Sequence, residues 1–319
     1  MNIYFAPMEG LTDSIYRRLH HEFFPGVDCY FTPFFSPTVH RSLTAREERE
    51  LPPAEALGCP VVPQLLTKNP RDFLWMAGVC RDRGYQQVNL NLGCPSGTVV
   101  AKKKGSGFLG LPEQLDVFFD QVFSAGLEIK ISVKTRVGLN DPDAWPDLAA
   151  IFDRYPISLL IVHPRIRRDF YREPVRLEAF QYAADHIHLP LCYNGDLNTP
   201  QDCQDILTRF PTVDRLMLGR GLVANPALVR ELAGGPALTK NELLEFFHRL
   251  TEAYRQVLFG DHAVLGKCKE LWFYTGCLFT NPEKYLKAMR KAKTLTDFTL
   301  AVDALFRDQD LKPGGHFSL

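Results

Sequence analysis

The sequence has no excess charge of either sign, because lysine plus arginine and aspartate plus glutamate both number 37 among 319 residues. A uniformly positive surface is therefore excluded, and a nucleic-acid partner would need local basic patches. No run of about 18 apolar residues occurs, which argues against a membrane-spanning helix. The opening residues MNIYFAPMEG lack a basic start and an apolar stretch. We therefore expect no signal peptide and a cytoplasmic protein.

Patterned cysteines are also lacking. No two of the eight cysteines stand in a CxxC spacing, and no group of cysteines and histidines has the spacing of a zinc site. We therefore predict no metal site and expect reduced thiols. The first apolar run is not followed by a GxGxxG element, which disfavours a doubly wound dinucleotide-binding fold.

What the sequence does contain is a repeat of short apolar runs separated by stretches of helical periodicity. The runs are nearly continuous, which is typical of parallel strands buried on both faces. They occupy residues 3–8, 29–34, 61–66, 87–93, 129–136, 159–165, 189–195 and 215–221. Eight strand–helix units in roughly 230 residues predict an α/β fold, a (β/α)8 TIM barrel over residues 1–235. An open doubly wound sheet is the alternative.

The pattern changes at the turn Gly234-Gly235-Pro236. Residues 236–319 contain no further strand-like run and read as three or four amphipathic helices. We predict a small C-terminal helical domain there. The last segment, LKPGGHFSL, is expected to be frayed, as chain ends often are.

Polar and glycine residues gather where the predicted strands end. Each has an ordinary explanation on its own, such as a helix cap or a surface ion pair. In a barrel, however, the carboxyl ends of all strands meet at one mouth, where active sites lie. Their joint occurrence therefore predicts a site. The residues are Pro7, Met8, Glu9, Gln64, Asn91, Cys94, Lys134, Arg136, His163, Arg165, Asn194, Gly195, Asp196, Gly219 and Arg220.

Two glycine-containing loops, 194–196 and 219–221, follow the seventh and eighth runs. This pair of loops often holds a phosphate in barrels. Glycine lets the backbone approach closely, and Arg220 could grip a phosphate with two hydrogen bonds. Because no Walker motif or metal cluster accompanies the loops, we predict a phosphorylated cofactor, and FMN is a frequent choice in such barrels.

With these motifs in this order, the sequence resembles the tRNA-dihydrouridine synthases. The resemblance covers the barrel, and the helical C-terminal region is also similar. It implies that FMN, reduced by NADPH, reduces the C5–C6 double bond of uridines in tRNA. Ribosomal RNA or a small free pyrimidine is the alternative substrate. The motifs are APMEGLTD (6–13), PQL (63–65), NLGCPS (91–96), SVKTR (132–136), VHPR (162–165), YNGD (193–196) and LGRG (218–221).

The resemblance also implies roles for single residues. Cys94 matches the proton donor to C5, and a free thiol, with a pKa of about 8.5, is protonated at neutral pH. Asn91 and Arg136 match residues near the target base. The chain departs from the family at two positions. Pro164 stands where family members commonly have glycine, and Gly97 stands where many have lysine. The residues implied to hold the flavin are Pro7, Met8, Glu9, Gln64, Lys134, His163, Asn194, Gly195, Asp196, Gly219 and Arg220.

Basic clusters supply the local positive charge that the whole chain lacks. We predict that they bind RNA phosphates without selecting the base, that region 236–319 contributes to RNA binding, and that the protein is a monomer without a DNA partner. The clusters are Lys102, Lys103 and Lys104 beside the cysteine, Arg165, Arg167, Arg168 and Arg172 after the sixth run, and Lys284, Lys287, Arg290, Lys291 and Lys293 in the helical region.

Overall fold

A computed structural model describes residues 1–38 and 40–318 of the chain. It confirms the TIM barrel followed by helices. All strand pairs of the sheet are parallel, and its two end strands are halves of one short segment, Val61–Val62 and Gln64–Leu65, interrupted by Pro63. Because the two ends of the sheet are neighbours in the chain, the sheet wraps into a nearly closed barrel.

The elements alternate as the apolar runs predict. The strands are β1 Asn2–Phe5, β2 Cys29–Phe31, β3 Val61–Val62, β4 Gln64–Leu65, β5 Gln87–Leu92, β6 Lys130–Gly138, β7 Leu160–Ile166, β8 Leu191–Asn194 and β9 Arg215–Leu218. The barrel helices are α1 Ser14–Phe23, α2 Ala45–Glu50, α3 Pro70–Asp82, α4 Gly97–Ala101, α5 Pro112–Ser124, α6 Trp145–Asp153, α7 Leu177–His186, α8 Pro200–Arg209, α9 Arg220–Ala224 and α10 Leu228–Leu232. The C-terminal helices are α11 Lys240–Val257, α12 Asp261–Thr275, α13 Glu283–Lys291 and α14 Leu295–Asp308.

Several helices begin where their capping residues predict. Asn69 accepts a hydrogen bond from the Arg71 N–H at the start of α3, and Thr199 forms a capping box with Asp202 at the start of α8. In both helices a proline occupies the first turn. Backbone N–H groups there have no acceptor within the helix, so the N–H that proline lacks costs no hydrogen bond. These starts fix the lengths of the loops that leave the barrel mouth.

The period of the strands explains why the mouth is polar. Side chains alternate across a strand, so residues two apart face the same side. Inside the barrel, Ile161, Cys192 and Met217 belong to a small apolar cluster. Two residues further along the same three strands come His163, Asn194 and Gly219. The apolar layer therefore fills the middle of the barrel, and the next inward-facing layer forms the site.

The helical region packs against the first barrel helix and the loop before it. Phe246 contacts the Tyr16 ring edge to face, with centroids 5.8 Å apart. Lys267 donates to Asp13 at 2.7 Å, and the Tyr254 hydroxyl donates to the same carboxylate at 3.0 Å. The Pro7-Met8-Glu9 segment precedes this loop directly. The helices thus help to hold one wall of the mouth, while the functional division at residue 235 stays a prediction.

The expected fraying of the final segment is wrong for residues 311–318. Leu311 forms an antiparallel bridge with Phe279, and the Lys312 N–H donates to the Leu278 carbonyl at 2.6 Å. Phe317 is only 5% exposed because it packs against Tyr274 of α12. Among the described helices, none is long and apolar enough to cross a membrane.

Candidate active site

Two adjacent cavities lie at the carboxyl ends of the strands. The first is bounded by the loops after β1, β8 and β9. The second contains Cys94 in its lining. Pro7, Met8, Lys134 and His163 line both cavities, so the two form one site.

The loops after β8 and β9 interlock at one end of the first cavity. Gly195 has a φ of 156°, and a β-carbon there would lie 2.9 Å from a Val175 methyl group. A β-carbon on Gly221 would collide with the Leu197 carbonyl. Glycine at position 221 therefore lets the loops after β8 and β9 approach closely, and glycine at 195 makes room for the loop after β7.

Arg220 lines the same end of the first cavity. Its guanidinium donates to Asp196 at 2.7 Å and lies over the Tyr171 ring, 4.6 Å from the centroid. The first-turn amides of α9, those of Arg220 and Gly221, have no partner within the helix. Together these donors fit the phosphate group of a cofactor.

Lys134 lies at the centre, between the two cavities. Its ammonium group donates to Asn194 Oδ1 at 2.7 Å, and Asn194 Nδ2 donates to the Met217 carbonyl at 2.7 Å. Burial, reinforced by the charge of Arg136, lowers the pKa of Lys134 to about 8. Because this pKa lies close to neutral pH, a negative charge placed beside Lys134 would raise the pKa and favour the protonated form.

His163 is buried beside Lys134. Burial and the surrounding cations lower its pKa well below the ordinary value, so the imidazole is neutral at pH 7. Arg165 lies 3.1 Å from His163 Nε2. Because a guanidinium can only donate, Nε2 is the acceptor and the proton of the ring is on Nδ1.

Arg165 is buried and paired. Its side chain is 3% exposed and donates twice to Asp196, at 2.9 and 2.5 Å. It also donates to the Glu173 carbonyl at 2.6 Å. Its predicted phosphate contact stays a prediction, and its observed bonds indicate that Arg165 holds Asp196, which in turn binds Arg220.

A chain of side-chain amides runs across the barrel below the cysteine. Asn91 Oδ1 accepts from the Cys94 N–H at 2.9 Å, and Asn91 Nδ2 donates to Gln64 Oε1 at 2.7 Å. Gln64 Nε2 donates to Asn89 Oδ1 at 2.8 Å, and Asn89 Nδ2 donates to the Ser132 hydroxyl at 2.9 Å. All bonds point in one direction, so the orientation of each amide is fixed by its neighbour.

Cys94 follows β5 on a loop that is anchored at both ends. The Ser106 hydroxyl donates to the Cys94 carbonyl at 2.7 Å, while Asn91 accepts from the Cys94 N–H. The thiol is half-buried in the lining of the second cavity. Burial raises its pKa, although Arg136 and Lys134 act in the opposite direction. The side chain is therefore a protonated thiol at neutral pH.

Arg136 connects the cysteine loop to the loop after β7. It is 1% exposed and donates to the carbonyls of Gly93, Ile166 and Phe170 at 3.1, 2.9 and 2.8 Å. It also lines the second cavity. Its predicted contact with the base stays a prediction, and its observed bonds add a role in shaping the mouth.

The remaining predicted residues differ in exposure. Glu9 pairs with Arg46 at the rim, at 2.9 Å. Lys102 and Lys103 are exposed, whereas Lys104 is half-buried and donates to Ser36 at 2.9 Å. The basic residues of α13 and its C-terminal flank are all exposed: Lys284, Lys287, Arg290, Lys291 and Lys293.

Sequence reasoning missed three residues of the site. Tyr171, from the loop after β7, lines both cavities, and Tyr274, from α12, lines the second. Asn89 lies in the amide chain and is fully buried. Asn89 carried a usable signal, since it is a polar residue in a buried run and lies two positions before Asn91. Tyr274 carried none, because only the tertiary fold brings α12 to the mouth.

These features define the chain as a (β/α)8-barrel protein with two adjoining cavities at its mouth, lined by Arg220, Lys134, His163 and Cys94. Solved structures with the same fold include morphinone reductase, with a TM-score of 0.53 and 14% identity over 74% of this chain and 86% of that one. An old yellow enzyme homologue from Zymomonas mobilis has a TM-score of 0.52 and 11% identity over 74% and 90%. At these identities the likeness concerns the fold alone.

Sequence comparison identifies the family. The model described as dihydrouridine synthase (Dus) matches residues 4–259. A tRNA-dihydrouridine(16) synthase of Aquipseudomonas alcaligenes is 30% identical over 243 residues, covering 73% of this chain and 75% of that protein. The tRNA-dihydrouridine synthase B of Proteus vulgaris is 26% identical, covering 71% and 69%. The chain belongs to the dihydrouridine synthase family and is an enzyme of that type.

Proposed function

We propose that this enzyme reduces uridines of tRNA to 5,6-dihydrouridine, with FMN as its cofactor, NADPH as the electron donor and Cys94 as the proton donor. The observation that carries the proposal is the position of Cys94. A protonated thiol lines the same cavity as Gln64, Lys134 and His163, and this cavity adjoins one that ends in an arginine and glycine loops.

The first cavity fits FMN by the chemistry of its donors. Arg220 and the first-turn amides of α9 would bind the phosphate, and the loop at Asn194-Gly195 would approach the ribityl chain. Lys134, together with Gln64 from the adjoining second cavity, would donate hydrogen bonds to the flavin ring, and Pro7 and Met8 would contact it. A flavin bound there supplies the hydride that is added to C6 of the uracil.

Cys94 has the properties that the second half of the reaction needs. A proton must reach C5, and the donor must hold that proton at neutral pH. The raised pKa of Cys94 keeps the thiol protonated. The Ser106 and Asn91 bonds fix the backbone of Cys94 on the wall of the second cavity, so the thiol has a defined position relative to the base.

Addition at C6 moves negative charge toward the C4 carbonyl of uracil, and donors at the mouth would stabilise it. Asn91 uses one hydrogen of its amide group for Gln64, which leaves the second available. Arg136 uses its Nε–H and one N–H on each terminal nitrogen for backbone carbonyls. Asn91 and the two terminal nitrogens of Arg136 therefore each retain one N–H that could serve this role.

Exposed basic side chains outside the cavities support a macromolecular substrate. A uridine must leave its stack to enter the site, which costs a few kcal/mol and less in an RNA loop. Lys102 and Lys103 beside the cysteine loop and the basic face of α13 offer phosphate contacts that a free pyrimidine would not need. The relatives are named for tRNA, which favours tRNA over ribosomal RNA.

The test is to map dihydrouridine in tRNA and ribosomal RNA from cells with and without the gene. The proposal expects specific tRNA positions to lose dihydrouridine when the gene is deleted and to regain it on complementation. Loss confined to ribosomal RNA, or no loss together with turnover of free uracil by the purified enzyme, would contradict it.

A further inference from the structure

The C-terminal tail reaches the end of the first cavity. Phe317 packs on Tyr274 with ring centroids 4.9 Å apart and on Phe273 at 6.0 Å. The Arg220 guanidinium carbon lies 5.7 Å from the centroid of the Phe317 ring. A residue more than 90 positions away in the chain thus lies beside the arginine that we assign to the cofactor phosphate.

A tight turn directs the tail to this place. After the Phe279–Leu311 bridge, the Gly315 N–H donates to the Lys312 carbonyl at 2.8 Å, and Gly314 has a φ of 66°. A β-carbon on Gly315 would lie 3.0 Å from the Lys312 carbonyl oxygen, a tighter contact than most β-carbons make. The two glycines therefore permit the reversal that carries Phe317 back toward the barrel.

Three groups hold the Arg220 guanidinium. Asp196 accepts a hydrogen bond from it at 2.7 Å, and it lies 4.6 Å from the Tyr171 centroid and 5.7 Å from the Phe317 centroid. The faces of aromatic rings attract cations, and the attraction grows as water is excluded. Phe317 is only 5% exposed, so most of its ring is shielded from solvent.

We propose that Phe317 is a positioning residue for Arg220, so that the tail forms part of the binding site for the phosphate group of the cofactor. This inference rests on the proposed function and deepens it. A free arginine side chain loses considerable rotamer entropy when it binds an anion. Phe317 and Tyr171 remove part of that freedom in advance, which favours binding of the phosphate.

A positioning role for Phe317 and simple packing predict different effects on ligands with and without a phosphate group. If Phe317 acts through Arg220, its loss weakens only ligands that carry the phosphate. Riboflavin has the same ring and ribityl chain as FMN but no phosphate. Phe317→Ala should therefore weaken FMN binding about 3- to 10-fold and change riboflavin binding by less than about 2-fold.

The experiment titrates the flavin-free full chain with FMN and with riboflavin and follows the quenching of flavin fluorescence. Phe317→Leu retains apolar packing against Tyr274 without the aromatic face, so it should show the same selective loss even if Phe317→Ala folds poorly. Phe259→Ala is the matched control, since Phe259 is a fully exposed phenylalanine on the same helical region. The control should bind both ligands as the parent does.

A double-mutant cycle completes the test. In an Arg220→Ala background, Phe317→Leu should cause no further loss of FMN affinity, because the group that it positions is gone. Equal weakening of FMN and riboflavin, or unchanged FMN affinity in both Phe317 variants, would overturn the inference while leaving FMN as the cofactor. A parent protein that binds neither flavin would overturn the proposed function itself.

Discussion

Asn89 is the residue through which the role of the amide chain can be tested most clearly. It does not line either cavity, yet it sets the orientation of Gln64, which sets that of Asn91, which binds the Cys94 N–H. We predict that Asn89→Ala lowers both stability and uridine reduction. The variant tests whether a fully buried amide, separated from Cys94 by Gln64 and Asn91, positions the proton donor.

The magnitude follows from the bonds that are lost. Gln64 Nε2 loses its acceptor in a fully buried place, and an unsatisfied buried group costs about 1–3 kcal/mol. Ser132 keeps its bond to the Val88 carbonyl, at 3.1 Å, so it adds less. We expect the free energy of unfolding to fall by about 2–3 kcal/mol. A freed Gln64 amide can rotate, and displacement of the cysteine loop by an ångström would reduce kcat by roughly 10- to 100-fold.

The assay pairs denaturant unfolding with single-turnover reduction of tRNA. Asn225→Ala is the matched control, because Asn225 is also buried and makes two hydrogen bonds, to Glu231 and the Ala227 N–H, away from the cavities. It should lose similar stability but keep its rate. If Asn89→Ala were destabilised like the control and still reduced uridine at the parental rate, the amide chain would be structural only.

Three further predictions concern charge. Burial lowers the pKa of Lys134 to about 8, so the rate of uridine reduction should fall as the pH rises through 8 and the ammonium group loses its proton. Lys134→Met should be slow at every pH. A flat parental profile from pH 7 to 9 would contradict this. Since burial raises the pKa of Cys94, iodoacetamide should alkylate it with a midpoint above that of free cysteine, about 8.5; a lower midpoint would mean that the cations dominate. Alanine at Lys102 and Lys103, or at the exposed α13 lysines, should lower the salt slope of RNA binding by about 0.7–0.9 per lost contact without moving the modified position. Lys104→Ala should mainly slow turnover, because that lysine binds Ser36. Unchanged slopes would show that these lysines only face solvent.

The sequence was sufficient to predict the strand layout, because period and caps are local properties. Side chains alternate across a strand, so residues two positions after an inward-facing apolar residue also face inward. This alternation predicts the inward-facing layer at His163, Asn194 and Gly219. The turn at Gly234-Gly235 separates the barrel helices from four α-helices that follow it in the described part of the chain, and β9 ends well before it.

Other features depend on contacts that no local pattern encodes. Arg165 looked like a surface cation in an arginine-rich segment, but it is buried because Asp196 approaches it from the loop after β8. Phe317 looked like part of a frayed end because its partners, Tyr274 and Arg220, come from two distant elements. In each case pairing between remote segments, not composition, decides where the side chain lies.

The role of Cys94 as proton donor can be tested in a single turnover. Enzyme that has been reduced with NADPH is mixed with unmodified tRNA, and the dihydrouridine formed in a single turnover is quantified. Cys94→Ala should accept electrons from NADPH and bind tRNA like the parent, yet form dihydrouridine about 10²- to 10⁴-fold more slowly. Cys59→Ala, which removes another half-buried thiol at the opposite end of the barrel, should react at the parental rate. Parental rates of dihydrouridine formation in Cys94→Ala would contradict the account.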